Sequence, residues 1–524
     1  MPGGIRMSLS RRDLIAAAAA GTLAQHYPLP AMAQTRELRV GVQSHTRTLD
    51  FQAETGNNTA QFLDSLCDTL VEIDTRSPAP RYIPGLATAW RQISPTVTEY
   101  TLREGVRMHD GTLMDADDVV FSLRRVFNPT DPRYLGAHGR YFYNFERIEK
   151  QDAMTVRVVT RRPDPLVAAL LSCRNAGIAS KEQADALGLD RAAQAPAGSG
   201  PYRVTAFRPN ADLTVERFAE HWGDPAPLER IRFTRISEMA PRVTALLNGD
   251  VDFIVSLPPD QQPLVRARRG LRLVETTWPM FFLYVLNMNR PEIADPRIRR
   301  AMNLAVDRGA LVSALWGGKA VAPGGHYFRG FADHDFLNDV NLLPYDPAEA
   351  RRLLRAAGYA GTEIVLSFQS TYYTYGDQAA QAVVEMWKDA GIRARLQVIE
   401  GFGQDSSSYF TRDWSNPCYY PDMLGAFDTH WSSASWVTRD KWFAPEKFPA
   451  FAPLYEQVRF GTDPDARRAA YRRLVVMTET EMVPWVLLYQ PSEAYAMRGN
   501  IAWEIPQNVR PYQLPFRAGL VSVA

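Results

Sequence analysis

Tyr82-Ile83-Pro84-Gly85-Leu86-Ala87-Thr88-Ala89-Trp90, followed by Tyr100-Thr101-Leu102-Arg103-Glu104-Gly105-Val106-Arg107-Met108-His109-Asp110-Gly111 and by Ala116-Asp117-Asp118-Val119, decides the fold. Tyr100, Leu102 and Val106 suit a strand, and His109-Asp110-Gly111-Thr112 is a turn that glycine makes at low steric cost. Asp115 is placed to cap a helix, with Asp118 reaching back from the third helical position and Val119, Leu123 and Val126 along one face. The order is strand, turn, helix. His109 beside Asp110 has the composition of a catalytic dyad or a metal pair. Adjacent residues in a tight turn diverge, however, and no third partner stands at a useful spacing.

As an ordered string, these residues resemble the signature of extracellular solute-binding protein family 5, the peptide, nickel and opine receptors of ABC importers. The family pattern Y-x-P-x-L-A-x-x-W, then Y-T-x-x-L-R-x-G-V-x-F-H-D-G and A-x-D-V, is matched almost throughout. Met108 stands where the family usually has Phe, and one Leu of the Tyr-Thr string is shifted. The resemblance implies an α/β fold, a two-lobed periplasmic binding protein of type II, cluster C, with an extra insert subdomain in lobe one. It extends over most of the chain: Gly198-Ser199-Gly200-Pro201-Tyr202 is similar to the family's G-T-G-P-Y turn, and Ala305-Val306-Asp307-Arg308 to its A-I-D-R.

Composition narrows the function classes. A chain of 524 residues exceeds what one core serves, so two or three lobes and a cleft between them are expected. A formal charge of +1 gives no basic field for nucleic acid. Cys67, Cys173 and Cys418 lack zinc or redox spacing; a Cys67 to Cys173 bridge and buried thiols both remain open. G-x-S-x-G, H-E-x-x-H, P-loop and dinucleotide fingerprints are absent, so no catalytic residue, metal or cofactor is expected.

Ser10-Arg11-Arg12-Asp13-Leu14-Ile15, the apolar run from Ala16 to Ala20 and Ala31-Met32-Ala33 read as a twin-arginine export signal over residues 1–33, cleaved before Gln34. The run is too short to span a membrane. A periplasmic monomer is expected. The order of elements implies lobe one at residues 34–81 and 195–286, the insert at 82–194, lobe two at 287–488 and a return to lobe one at 489–524. Phe281 to Met288 is an apolar run long enough for a buried strand, which the family resemblance implies is one crossing between lobes, and Trp485 to Tyr489 reads as the returning strand.

Two departures from the family pattern bear on the ligand. Peptide receptors place an Asp in a segment like W-x-x-D-Y-x-D-P to hold the free α-amine. Here the segment runs Trp414-Ser415-Asn416-Pro417-Cys418-Tyr419-Tyr420-Pro421-Asp422, so that Tyr419 or Pro417 stands in its place, depending on the anchor. Neither pairs with an ammonium as a carboxylate does. Asp422 takes over only if the loop is re-routed. Before the helix at Asp377, dipeptide receptors carry an Arg for the terminal carboxylate; this chain has Ser370-Thr371-Tyr372-Tyr373-Thr374-Tyr375. Rings and hydroxyls suit flat or polyol ligands. The loop after the first strand adds His45, a neutral hydrogen-bonding partner, and Arg47, a bidentate clamp for a carboxylate. Tyr141 from the insert, Trp414 as a stacking platform, and Trp431 beside His430 complete the expected pocket, with Tyr372, Tyr373, Tyr419 and Asp422.

The reading is a binding component that delivers a small solute to ABC permease subunits by cleft closure. A modified peptide, an opine-like conjugate or an oligosaccharide is expected as the solute. The competing classes are an exported hydrolase acting in the cleft and a chaperone or sensor that uses the fold for protein contacts.

Overall fold

The strand, turn and helix form as their residues dictate. The Asp115 carboxylate accepts from the Asp117 N–H, and Asp118 reaches back to the Asp115 N–H, closing a capping box on the helix Ala116–Phe127. Val119, Leu123 and Val126 are fully buried beneath it. In the turn, His109 and Asp110 part company: the imidazole reaches the Gly200 carbonyl at 2.8 Å, while the carboxylate closes on Thr112. This computed structural model describes residues 37–524, except 55, 57–60, 78, 136–138, 401–408, 433–434, 507–510 and 512. The export segment expected at residues 1–33 lies outside the described residues.

Two large sheets carry the chain. The seven-stranded sheet has the order Leu271–Thr277, Ser492–Arg498, Phe253–Ile254, Glu37–Val42, Arg230–Arg235, Asp212–Arg217 and Tyr202–Arg208. The five-stranded sheet has the order Ala394–Val398, Ile364–Phe368, Thr411–Pro417, Met280–Leu286 and Trp485–Tyr489. A third, four-stranded antiparallel sheet, Ala87–Ser94, Val97–Leu102, Thr155–Thr160 and Phe145–Asp152, packs under the capped helix as the insert. The apolar run near Phe281 becomes the strand Met280–Leu286, buried at every residue because it is paired on both edges and covered on both faces.

The chain passes from the first large sheet to the second through Trp278-Pro279, and returns through Gln490-Pro491. Both passages are pinned. The Trp278 indole donates to the Tyr495 hydroxyl at 3.0 Å. The Gln490 N–H donates to the Val321 carbonyl at 2.9 Å, and its side-chain oxygen accepts from the Arg329 N–H at 3.1 Å.

One buried carboxylate helps to fasten the C-terminal tail to the first lobe. Asp68, fully buried, accepts from Arg517 at 2.7 Å, the Ser199 hydroxyl at 3.0 Å and the Trp222 indole at 2.8 Å. Burial pushes this carboxyl up, but Arg517, His221 and Trp222 outweigh it and hold Asp68 well below the usual carboxylate range. Gly198 and Gly200 flank Ser199 because the chain there runs against Leu66: a Cβ at either would sit within 2.6 Å of that residue's backbone. Of the readings left open for the cysteines, the structure has thiols. Cys67 is buried, and the Cys173 thiol donates to the Tyr419 carbonyl at 3.4 Å.

Candidate functional site

In both large sheets the parallel strands end on the same side. Glu37–Val42 runs parallel to Arg230–Arg235 and Phe253–Ile254, and Ile364–Phe368 runs parallel to Ala394–Val398 and Thr411–Pro417. Loops beyond the carboxyl ends of parallel strands are where α/β folds collect ligand contacts. Here the two sets of loops face each other across a cavity of about 570 Å³, with Gln43, Ser44 and Arg235 on one side and Ser370, Tyr372 and Tyr373 on the other. Thr371 and Tyr375 hold left-handed backbone at φ of 62° and 58°, a conformation that costs a non-glycine residue roughly 1–3 kcal/mol. Tyr375 repays part of that by donating across the cleft to the Asp260 carboxylate.

From this cavity a row of rings continues along the junction of the lobes. Tyr372 meets Tyr373 edge to face at 4.7 Å, and the Tyr373 oxygen accepts from the Ser415 N–H at 3.0 Å. Alternation along Thr411–Pro417 turns Arg412, Trp414 and Asn416 to one face. The Arg412 guanidinium lies 4.2 Å over the Trp414 ring, and Trp414 meets the His430 imidazole edge-on at 4.8 Å. Asn416 donates to His430 Nδ1 at 2.8 Å. His430 leads at 6.2 Å to Tyr419, whose ring sits 5.4 Å from Tyr141 of the insert. Beyond Tyr419 a second cavity of about 550 Å³ opens between the insert, Trp222 and the tail at Arg517. Burial pushes Arg412 down to about 9, which leaves it a cation at neutral pH.

The structure thus gathers Tyr141, Tyr372, Tyr373, Trp414 and Tyr419 of the expected residues, and commits others elsewhere. His45 is buried in the first lobe, stacked at 4.6 Å on Phe62, and burial pushes it down to about 4, so it is neutral and packed rather than presented to a cleft. Arg47 is exposed. Trp431 is 1% exposed, packed at 4.3 Å on Trp485 and 5.3 Å on Phe443, and is a core residue rather than a pocket wall. Asp422 binds Arg467 at 3.0 Å and accepts the Leu424 N–H at 2.9 Å, so its carboxylate fixes the loop. Arg412 escaped the sequence reading. The only signal for it is its position two residues before Trp414 on a strand, which places cation and ring on one face.

Asp413, on the opposite face of that strand, is buried and accepts only a backbone N–H, from Gln369 at 3.2 Å, among the bonds described. Burial pushes it up to about 7. An unfolded Asp titrates near 3.9. Its contribution to stability is therefore intact below about pH 4 and is lost as pH rises through about 7. Asp413→Asn is expected to raise the melting temperature at pH 8 relative to the parent and to leave it unchanged at pH 4, measured by calorimetry across that range.

The family model described as "Bacterial extracellular solute-binding proteins, family 5 Middle" matches residues 81–437. The chain belongs to this family. Among the curated relatives of this solute-binding protein, the "Probable di/tripeptide-binding protein 5" of Pseudomonas aeruginosa is 28% identical over 362 residues, covering 64% of this chain and 67% of the relative. Glutathione-binding protein GsiB of Salmonella paratyphi A is 27% identical over 327 residues, covering 60% of this chain and 62% of GsiB, so that match spans less than two thirds of the relative's length. Two solved structures share the fold. A dipeptide-binding protein from Pseudoalteromonas sp. SM9913 in complex with Met-Leu superposes with a TM-score of 0.82 at 19% identity, covering 93% of this chain and 100% of that one. AgaA of A. tumefaciens R10 in complex with agropinic acid superposes at 0.81 and 20% identity, covering 93% and 99%. The two lobes and the insert of this solute-binding protein are therefore the periplasmic binding protein fold. Among the described residues, no helix is long and apolar enough to cross a membrane.

Proposed function

We propose that this solute-binding protein is the capture component of an ABC importer, and that its ligand is a conjugated small solute, a modified peptide or an opine-like compound, rather than a free-ended dipeptide. The observation that carries the reading is the row Arg412, Trp414, His430, Tyr419, with rings where an ammonium-binding receptor needs a carboxylate. Neither Pro417 nor Tyr419 supplies an anion, and Asp422 is held by Arg467. Arg412 and the rings favour a solute with an anionic group and a flat or apolar body. The ligands named for its relatives, di/tripeptide, glutathione and agropinic acid, span that range. Oligosaccharide remains a weaker member, since stacking alone supports it.

Capture is by closure. Tyr141 stands on the insert and Tyr372, Tyr373, Trp414 and Tyr419 on the five-stranded side, so only the closed arrangement offers a solute both sets, and the solute selects it. We place the lobe crossings at Trp278-Pro279 and Gln490-Pro491, where the chain changes sheets. Export through the twin-arginine signal, a periplasmic location and a monomeric state belong to the same reading. The family consists of solute-binding proteins rather than enzymes, so hydrolysis in the cleft has no support in this site.

Thermal unfolding against a panel of free dipeptides, glutathione and opines tests it. At one hundred times its dissociation constant a ligand adds about 2.7 kcal/mol of stability if it binds only the folded state. Stabilisation by the conjugates and not by Met-Leu is the expected result. Stabilisation by ordinary dipeptides would mean that another acid holds the ammonium, and the reading would fail.

A further inference from the structure

The insert and the second lobe meet through an ion pair with no exposure at all. Arg459, on the helix Phe451–Phe460, grips both oxygens of Asp164 on the insert, the second at 2.8 Å. Each charge also keeps partners on its own side of the junction. Asp164 accepts the Leu166 N–H at 2.9 Å and the Asn144 amide at 3.0 Å, both from the insert. Arg459 lies 3.7 Å from Asp428 of its own lobe, and that carboxylate is itself held by the Tyr420 hydroxyl at 2.9 Å and by the Tyr455 hydroxyl. If the two halves separate, Asp164 keeps its hydrogen bonds to Leu166 and Asn144, and Arg459 keeps Asp428 at 3.7 Å. The surroundings have the anatomy of an interface, a dry centre with a wet rim. Tyr143 of the insert shares a 3.1 Å hydrogen bond with Tyr455, and at the edge Arg162, 42% exposed, pairs with Glu456, 55% exposed.

We propose that Arg459 is the closure residue of this protein: its pairing with Asp164 is made only when the insert and the second lobe come together, and it holds the ligand-free chain partly closed. The inference rests on the reading that solute is captured between these bodies. Arg459 touches no solute. It is a positioning residue, because the Tyr141 and Tyr419 rings lie on opposite sides of the junction that it joins. When the pair parts, the row of rings is split and the solute loses one wall. A buried pair as such gives little net stability, but removing one member leaves the other buried without its main counter-charge. That penalty falls on the closed arrangement alone, since both groups are hydrated in the open one.

The test uses Arg459→Met and Asp164→Asn, which remove the contact from opposite sides, so that one variant carries the experiment if the other folds poorly. Small-angle scattering of the ligand-free proteins is expected to give a larger radius of gyration for both variants than for the parent. Equal radii for all three overturn the proposal. This readout needs no ligand, so it stands even if every member of the solute panel fails to bind. With glutathione or agropinic acid, whichever stabilises the parent, each variant is expected to raise Kd by about ten-fold. In the double variant Arg459→Met/Asp164→Asn the two effects should not multiply. Multiplicative losses would mean that the residues act separately, and would also overturn it.

Discussion

Replacing Arg517 by methionine is expected to cost about 3–5 kcal/mol of folding stability at neutral pH, measured by urea unfolding. Asp68 has no exposure, and Arg517 is the guanidinium that compensates its charge. Methionine fills the space of the stem but leaves the carboxylate buried beside only neutral donors and His221. The same change cuts the hydrogen bonds from Arg517 to the carbonyls of Asp64 and Cys67, at 2.7 and 2.9 Å, so the tail loses part of its hold on the first lobe. The pH dependence has a definite sign. A carboxyl held below its unfolded value adds stability above about pH 4, and that contribution is lost as pH falls toward its folded value. Arg517→Met should therefore flatten the acid limb of the stability profile. A loss below about 1 kcal/mol would show that the tail is held by its apolar contacts instead.

The second large effect concerns binding. Trp414→Ala should raise Kd for the solute by about thirty-fold, roughly 2 kcal/mol, the size expected for an aromatic anchor in a desolvated pocket. Trp414 supports Arg412 on one face and His430 at its edge, so truncation removes a platform and frees two neighbours together. Trp414→Phe keeps a ring face and should recover most of the affinity. If calorimetric titration with glutathione or agropinic acid shows the alanine variant unchanged, the strand Thr411–Pro417 is not part of the site.

How much of this was legible in the sequence depends on the length of the signal. The capping box at Asp115 and Asp118 was legible because it is a local geometry that four residues specify by themselves. Met280–Leu286 was legible because a strand covered on both faces leaves an unbroken apolar run. The family string gave the fold over a far longer span than either. Depth was not legible. His45 and Arg47 stand two apart at the end of one strand, yet one is buried under Phe62 and the other is exposed, and the neighbours that decide this, Phe62 and Phe207, come from distant parts of the chain. Trp431 and Trp414 look alike as tryptophans in sequence; the packing of Trp431 on Trp485 puts it in the core, while Trp414 lies under Arg412. Arg412 and Asp413 carry no sequence signal that sets them apart. Strand alternation sends the cation to the ring row and buries the acid behind it.

The two passages between the sheets have a practical corollary. Each is two residues long and contains a proline, so φ at Pro279 and Pro491 is fixed by the ring and little torsional freedom is left there. Two short stiff tethers define a line, and on the closure reading proposed above, rotation about it is the motion that a solute would drive. Leu264, 53% exposed, stands beside the first sheet and Val398, 62% exposed, on the second. A donor and acceptor dye at these two positions would convert occupancy into a single optical ratio, which makes this molecule a scaffold for a fluorescent sensor of its own ligand.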